Sequence, residues 1–61
     1  MAAKEIVNVG VANEGEITLD VDIVKNWVPK DINYFGDVVF FKNEKTYYSM
    51  KRMDFKRIFN L

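Results

Sequence analysis

The sequence predicts a small β-rich α+β domain: two β-hairpins that form a curled sheet or small open barrel, followed by a short C-terminal helix. Three observations lead to this fold class. Two stretches near the N-terminus alternate apolar and polar residues, two aromatic-rich stretches flank a turn at Asn43-Glu44, and the last residues place apolar side chains at helical spacing. Because 61 residues is the length of one domain, residues 1–61 are predicted to fold as a single unit.

The first hairpin is predicted from residues 5–11 and 16–24. In "EIVNVGV" the valines recur at every second position, and "ANEG" supplies turn residues. "EITLDVDIV" then alternates cleanly from Glu16 to Ile23. A strand separates such residues onto two faces, whereas a helix would scatter them. One face should therefore be buried (Ile17, Leu19, Val21, Ile23) and the other wet and acidic (Glu16, Thr18, Asp20, Asp22).

Residues 25–37 connect the two hairpins and have no clear period. Pro29 disfavours a helix at Val28, and Gly36-Asp37 is typical of a turn. The segment is nevertheless rich in apolar residues, among them Trp27. We therefore expect an irregular connection, with at most one helical turn, packed over the end of the sheet.

The second hairpin is predicted from residues 37–42 and 45–51, joined by a loop of two to four residues. Its "VVFF" and "YY" runs must place large apolar side chains on both faces of the sheet. One short helix and one irregular segment are little cover for two such faces. Three outcomes are open: the sheet curls into a barrel, the chain dimerises, or the surplus face binds another protein.

The C-terminal helix is predicted within residues 53–61. Asp54 is a suitable N-cap, and Met53 before it is placed to pack on Ile58 as a hydrophobic staple. Phe55, Ile58 and Phe59 fall at i, i+3 and i+4, so they should face the core. Two turns of helix are marginal alone, and this helix must dock on the sheet.

Composition limits the function classes. The chain has neither cysteine nor histidine, so it lacks the usual general base, thiolate metal ligands and disulfides. We expect no enzyme, no cofactor and no metal site. No apolar run has the length of a signal peptide or membrane span, so a cytoplasmic protein with no membrane partner is expected.

Charge is zero overall but unevenly distributed. Residues 1–38 carry seven acidic and three basic side chains, a net −4, whereas residues 39–61 carry six basic and two acidic, a net +4. The halves can neutralise each other within the fold or mark a charged partner. The acidic stripe of Glu16, Asp20 and Asp22 can be a solvated strand face, a phosphate-mimicking edge or a weak cation site; its role is left open.

Two functions are consistent with these patterns. The preferred one is non-catalytic protein binding, as a homodimer or as an inhibitor or modulator of a larger protein, with Trp27, Phe40, Tyr47 and Arg52 as contact residues. The alternative is single-stranded nucleic-acid binding, in which rings stack on bases and cations meet phosphates. That surface would use Tyr47, Tyr48, Lys51 and Arg52.

Residues 5–16, "EIVNVGVANEGE", resemble the Asn-Val-Gly…Asn-x-Gly opening found in some phage tail proteins. The similarity stops before the Thr-Gly-Asp continuation of that pattern, and no function follows from it. In type, the chain is similar to the small accessory proteins that phages and mobile elements direct at host enzymes. This similarity implies a viral protein or a mobile-element protein that acts by binding.

Overall fold

The computed structural model describes residues 4–60 and confirms a small β-rich α+β domain. An antiparallel sheet has the strand order β2-β1-β5-β4-β3 and is not closed into a barrel. Neither helix in this range is long and apolar enough to cross a membrane. The elements are β1 (Ile6–Val11), β2 (Gly15–Asp20), α1 (Val21–Val24), β3 (Lys30–Phe35), β4 (Val38–Asn43), β5 (Thr46–Lys51) and α2 (Arg52–Phe59).

Two predicted segments reach beyond the described residues. Residues 1–3 belong to the predicted single domain, and Leu61 is the last residue of the predicted helical segment.

The first hairpin forms as predicted, but its second strand is shorter. β1 and β2 pair with Val7 opposite Leu19 and Val9 opposite Ile17. The predicted strand to residue 24 is wrong, because the chain turns into α1 after Asp20. Residues three apart lie on one side of a helical turn. Val24 is therefore fully buried, whereas Ile23, predicted for the buried face, is 52% exposed.

Residues 25–37, predicted as an irregular connection, contain a further strand, β3, which lies at the edge of the sheet next to β4. β3 pairs with β4, with Tyr34 opposite Val39 and Phe35 opposite Val38, around a two-residue turn at Gly36-Asp37. Gly36 takes a φ of +59°, which glycine adopts without strain. The prediction is wrong here because the register shifts between Lys30 and Asn33, and this irregularity hides the alternation.

The second predicted hairpin is confirmed as β4 and β5. Asn43 pairs with Thr46, so the loop has two residues, Glu44 and Lys45, with a φ of +57° at Glu44. Phe41 lies opposite Tyr48. Together with β3 this hairpin forms a three-stranded meander, which joins the first hairpin through β1 and β5.

Helix α2 begins three residues earlier than predicted, at Arg52 and not at Phe55. Lys51 is the N-cap residue and makes no side-chain capping hydrogen bond, so the prediction of Asp54 as N-cap is wrong. The chain passes directly from β5 into the helix, and the Arg52 N–H donates to the Asp37 carbonyl at 2.6 Å. Met53 consequently lies inside the helix and is 79% exposed, which also contradicts the predicted staple to Ile58.

The two helices cover one face of the sheet. Phe55 is buried and Ile58 and Phe59 pack partly buried against the core, as predicted. Ring centroids of Phe41 and Phe55 lie 5.4 Å apart. The buried residues come from β1, α1, β4, β5 and α2: Val7, Val9, Val24, Val39, Phe41, Met50 and Phe55. The opposite side of the sheet is covered by no element in residues 4–60, and we call it the open face.

Candidate functional site: the open face

The open face carries every second residue of each strand. Residues paired across neighbouring strands lie on the same face, so the paired row of Glu16, Gly10, Ser49, Phe40 and Asn33 crosses the whole sheet. The residues two and four positions away from this row along each strand, together with Lys30 through its pairing with Lys42, point to the same side and complete the face. These are Ile6, Asn8, Thr18, Asp20, Lys30, Phe35, Val38, Lys42, Tyr47 and Lys51.

Four neighbouring side chains of β3, β4 and β5 form an aromatic patch on this face. Their exposed fractions are 62% for Phe35, 37% for Val38, 46% for Phe40 and 52% for Tyr47. Phe35 and Phe40 pack edge to face with centroids 5.3 Å apart. Burying a side chain of this kind stabilises by about 1.5–3 kcal/mol relative to leaving it in water. A partner that buries these side chains would therefore bind with a substantial favourable contribution to the free energy of binding.

A depression lies beside the aromatic patch, over β1 and β5. It has a volume of ≈ 360 Å³ and is bordered by Phe40 and Tyr47 on one side and Glu16 on the other. Gly10 forms part of its floor. The Ser49 Oγ lies so close to Gly10 that an added Cβ would collide with it. A second depression of ≈ 240 Å³ also includes Gly10, Glu16 and Ser49 and runs toward Lys51. Together they make a trough along the boundary between β1 and β5.

The trough separates the lysines of the open face from Glu16. Lys30 and Lys42 are register partners on adjacent strands, an arrangement that destabilises a sheet unless an anion lies nearby. Neither forms an ion pair within residues 4–60, although the Lys42 Nζ lies 5.5 Å from the Tyr47 ring centroid. Across the trough, Glu16 likewise lacks an ion-pair partner in the described part of the chain.

The acidic stripe predicted from the sequence is divided by the fold. Asp22 lies in α1 and pairs with Lys25 at 3.1 Å, whereas Asp20 ends β2 and pairs with Lys4 at 3.7 Å. In the described range, no group of three acidic side chains is placed to hold a metal ion. Glu16 is the member of the stripe that borders the trough.

The structure separates the four residues predicted to contact a protein. Phe40 and Tyr47 meet on the open face. Trp27 lies on the covered side, half-buried, with its ring centroid 4.4 Å from that of Tyr48. The Arg52 guanidinium lies 5.2 Å from the centroid of the Tyr34 ring, at the start of α2. The geometry thus unites Phe40 and Tyr47 and gives Trp27 and Arg52 packing contacts elsewhere.

The residues predicted for nucleic-acid binding are separated in the same way. Tyr47 and Lys51 belong to the open face, whereas Tyr48 packs on the covered side against Phe41, with centroids 5.9 Å apart. Consecutive strand residues point to opposite faces, so Tyr47 and Tyr48 cannot share one surface. The structure adds Phe35 and Lys30 to the open face; the turn signal at Gly36-Asp37 was the available indication of a strand before it.

Comparison with known protein families, curated proteins and solved structures found no match to this chain.

Proposed function

We propose that this chain is a non-catalytic protein-binding module that acts through the open face, as a homodimer or as a modulator of a larger protein. The observation that carries the proposal is the aromatic patch: Phe35, Val38, Phe40 and Tyr47 are all more than a third exposed on one continuous surface. Interface centres are enriched in such rings, and a few of them supply most of the binding free energy.

The chemistry of the trough supports binding rather than catalysis. Glu16 is the one charged side chain that borders the larger depression, beside the Ser49 hydroxyl and several small residues. General acid–base catalysis uses positioned groups with matched proton affinities in a sheltered site. An open depression with a single carboxylate is better suited to receiving a side chain of a partner.

Site-specific photo-crosslinking tests the proposal. A photoreactive phenylalanine analogue at position 40 should give covalent adducts with protein in extracts of the cells that produce the chain. The matched control carries the same analogue at Met53, which is exposed but lies on the opposite side of the molecule in α2. Equal adduct yields from positions 40 and 53, or adducts of position 40 with nucleic acid alone, would contradict the proposal.

Single-stranded nucleic-acid binding is a second candidate, favoured by one observation. Lys30 and Lys42 adjoin the rings of the aromatic patch. Proteins that bind single-stranded nucleic acid combine such cations, which contact phosphates, with rings on which bases stack. The three open-face lysines would give a log–log salt slope of about −2, at roughly −0.7 per phosphate contact. We expect no retention of single-stranded oligonucleotides at about 0.15 M salt, because the face also carries Glu16 and Asp20.

Three finer predictions belong to the same proposal. A cytoplasmic location, an inhibitory or modulating effect on a larger protein, and a phage-type accessory role all remain predictions. Fractionation and identification of the crosslinked protein test the first two directly.

A further inference from the structure

We propose that the open face binds the same face of a second copy of this chain, around a two-fold axis that runs parallel to the strands along the β1–β5 boundary. This inference rests on the proposed function, since it names the partner of the same surface.

The two halves of the open face are complementary to each other. The half formed by β3, β4 and β5 carries the aromatic patch and three lysines, Lys30, Lys42 and Lys51. The half formed by β1 and β2 carries Glu16 and Asp20 and, at its centre, Gly10. A surface that pairs with its own copy needs such complementary halves, because in a two-fold interface every contact occurs twice.

The register of the sheet shows which residues would meet. Half a turn around the β1–β5 boundary places β5 over β1 and β4 over β2 while it preserves the position along the strands. Phe40 and Glu16 belong to the same cross-sheet row, so Phe40 of one copy faces Glu16 of the other, and Ser49 faces Gly10. Tyr47, two residues farther along, faces the start of the β1–β2 turn at Ala12.

Two of the three lysines, Lys30 and Lys42, would then lie opposite acids. Lys42 is level with Tyr47 in the register, and Lys30 is its partner on β3. After the half turn both approach the edge at which β2 begins, next to Glu16 and to the turn that carries Glu14. The dimer would thus supply the anions that the paired lysines lack within residues 4–60.

The trough has the shape that this arrangement requires. Its larger depression, ≈ 360 Å³, is lined on the β1–β2 side by Ala12 and Gly15, which have little or no side chain to fill it. The rings of Phe40 and Tyr47 from the second copy would enter this space. Two sheets stacked face to face with nearly parallel strands correspond to the aligned packing of β-sandwiches, about 10 Å apart.

The size of the face sets the expected affinity. The four strands that overlap in this arrangement, about 4.8 Å apart and six residues long, give a contact of roughly 19 by 20 Å, or about 800 Å² for both copies. Stable interfaces bury about 1,200–2,000 Å². A reversible dimer with a dissociation constant in the micromolar range, roughly 1–100 μM, is therefore expected.

A charge-exchange experiment tests the inference by sedimentation. The first variant, Lys30→Glu with Lys42→Glu, and the second, Glu14→Lys with Glu16→Lys, should each self-associate about tenfold more weakly than the wild-type chain. An equimolar mixture of the two should form a heterodimer at least as tightly as the wild type, because each contact then joins opposite charges. Ala12→Trp, which fills the depression without a charge change, should also weaken the dimer about tenfold.

The control variant is Lys25→Glu with Lys56→Glu, which makes the same change of net charge on the helical side and should leave dimerisation unchanged. A wild-type chain that stays monomeric at about 1 mM, or a mixture that fails to restore association, would overturn the inference. A monomer that still gives protein adducts from position 40 would overturn the homodimer alone and leave the proposed function standing. A monomer without protein adducts would contradict both.

Discussion

Gly10 illustrates how one residue shapes the open face. It lies opposite Ser49 across the β1–β5 boundary, and these two strands share few paired positions: Gly10 with Ser49 and Val11 with Tyr48. The absence of a side chain at Gly10 makes room for the Ser49 hydroxyl and forms part of the floor of the trough. A small residue in a strand often marks the close approach of another group.

Replacement of Gly10 tests this account. Gly10→Ala should lower the free energy of unfolding by about 1 kcal/mol, because the new Cβ forces the Ser49 hydroxyl into another rotamer. In a Ser49→Ala background the remaining Cβ of residue 49 lies 3.7 Å away, an ordinary contact, so the same change should be neutral or stabilising. Urea unfolding of the four members of this double-mutant cycle measures the difference. Equal losses in both backgrounds would show that Ser49 is not the obstacle.

At the scale of elements, the strands with a clear sequence pattern are predicted correctly, whereas α1, β3 and the start of α2 are not. β1 and β2 follow from period-two patterns, and the β4–β5 hairpin follows from two apolar runs that flank the turn at Asn43-Glu44. α1 does not, because Val21 and Val24 fit a helical turn while Val21 and Ile23 fit a strand, and four residues are too few to separate the two. β3 is hidden by its register shift at Asp31, where φ is +52°. Helix α2 begins early because a backbone contact from Arg52 replaces the side-chain cap expected at Asp54.

The candidate site was predictable to a similar extent. The "VVFF" run indicated correctly that β4 has two apolar faces, and Phe40 and Tyr47 follow from it. The sequence could not indicate which of Tyr47 and Tyr48 faces the helices, since both choices satisfy the alternation. That assignment depends on long-range contacts of Trp27 and Phe41 with Tyr48.

Strand β4 provides the element-scale prediction, because its adjacent phenylalanines serve different purposes. Phe41 is fully buried, so Phe41→Ala should lower the free energy of unfolding by about 3–5 kcal/mol, close to the whole stability of a domain this small. Phe40 lies on the open face, so Phe40→Ala should cost the monomer less than about 1 kcal/mol. It should nevertheless weaken dimerisation.

Unfolding of the two variants should be followed by circular dichroism at about 1 μM, the lower end of the expected range of dissociation constants. Similar losses of stability at positions 40 and 41 would mean that the open face is covered within the monomer.

At the scale of the whole molecule, the two oppositely charged halves of the sequence become neighbouring parts of one fold. Some of the charge is neutralised inside it: Arg57 of α2 lies between Glu5, just before β1, and Asp54. These pairs are partly exposed and contribute little to stability. The open face keeps its division into a lysine-bearing and an acid-bearing half, and this division is what a second copy can neutralise.

The response of the dimer to salt separates this arrangement from nucleic-acid binding. Screening shortens the Debye length from about 10 Å at 0.1 M to about 3 Å at 1 M, so exposed Lys–Glu contacts between copies should weaken over this range. Burial of Phe40 and Tyr47 does not depend on charge. We expect the dissociation constant of the wild-type dimer to rise by about three- to tenfold.

The charge-exchanged heterodimer should lose a similar amount over the same range, since it replaces the same number of contacts. The double variant Lys25→Glu with Lys56→Glu is again the matched control, because its substitutions lie on the helical side and should leave the salt response unaltered. Sedimentation equilibrium at several salt concentrations measures all three proteins. A rise of a hundredfold or more would mean that charge rather than ring burial holds the copies together, and the trough would then not be the centre of the interface.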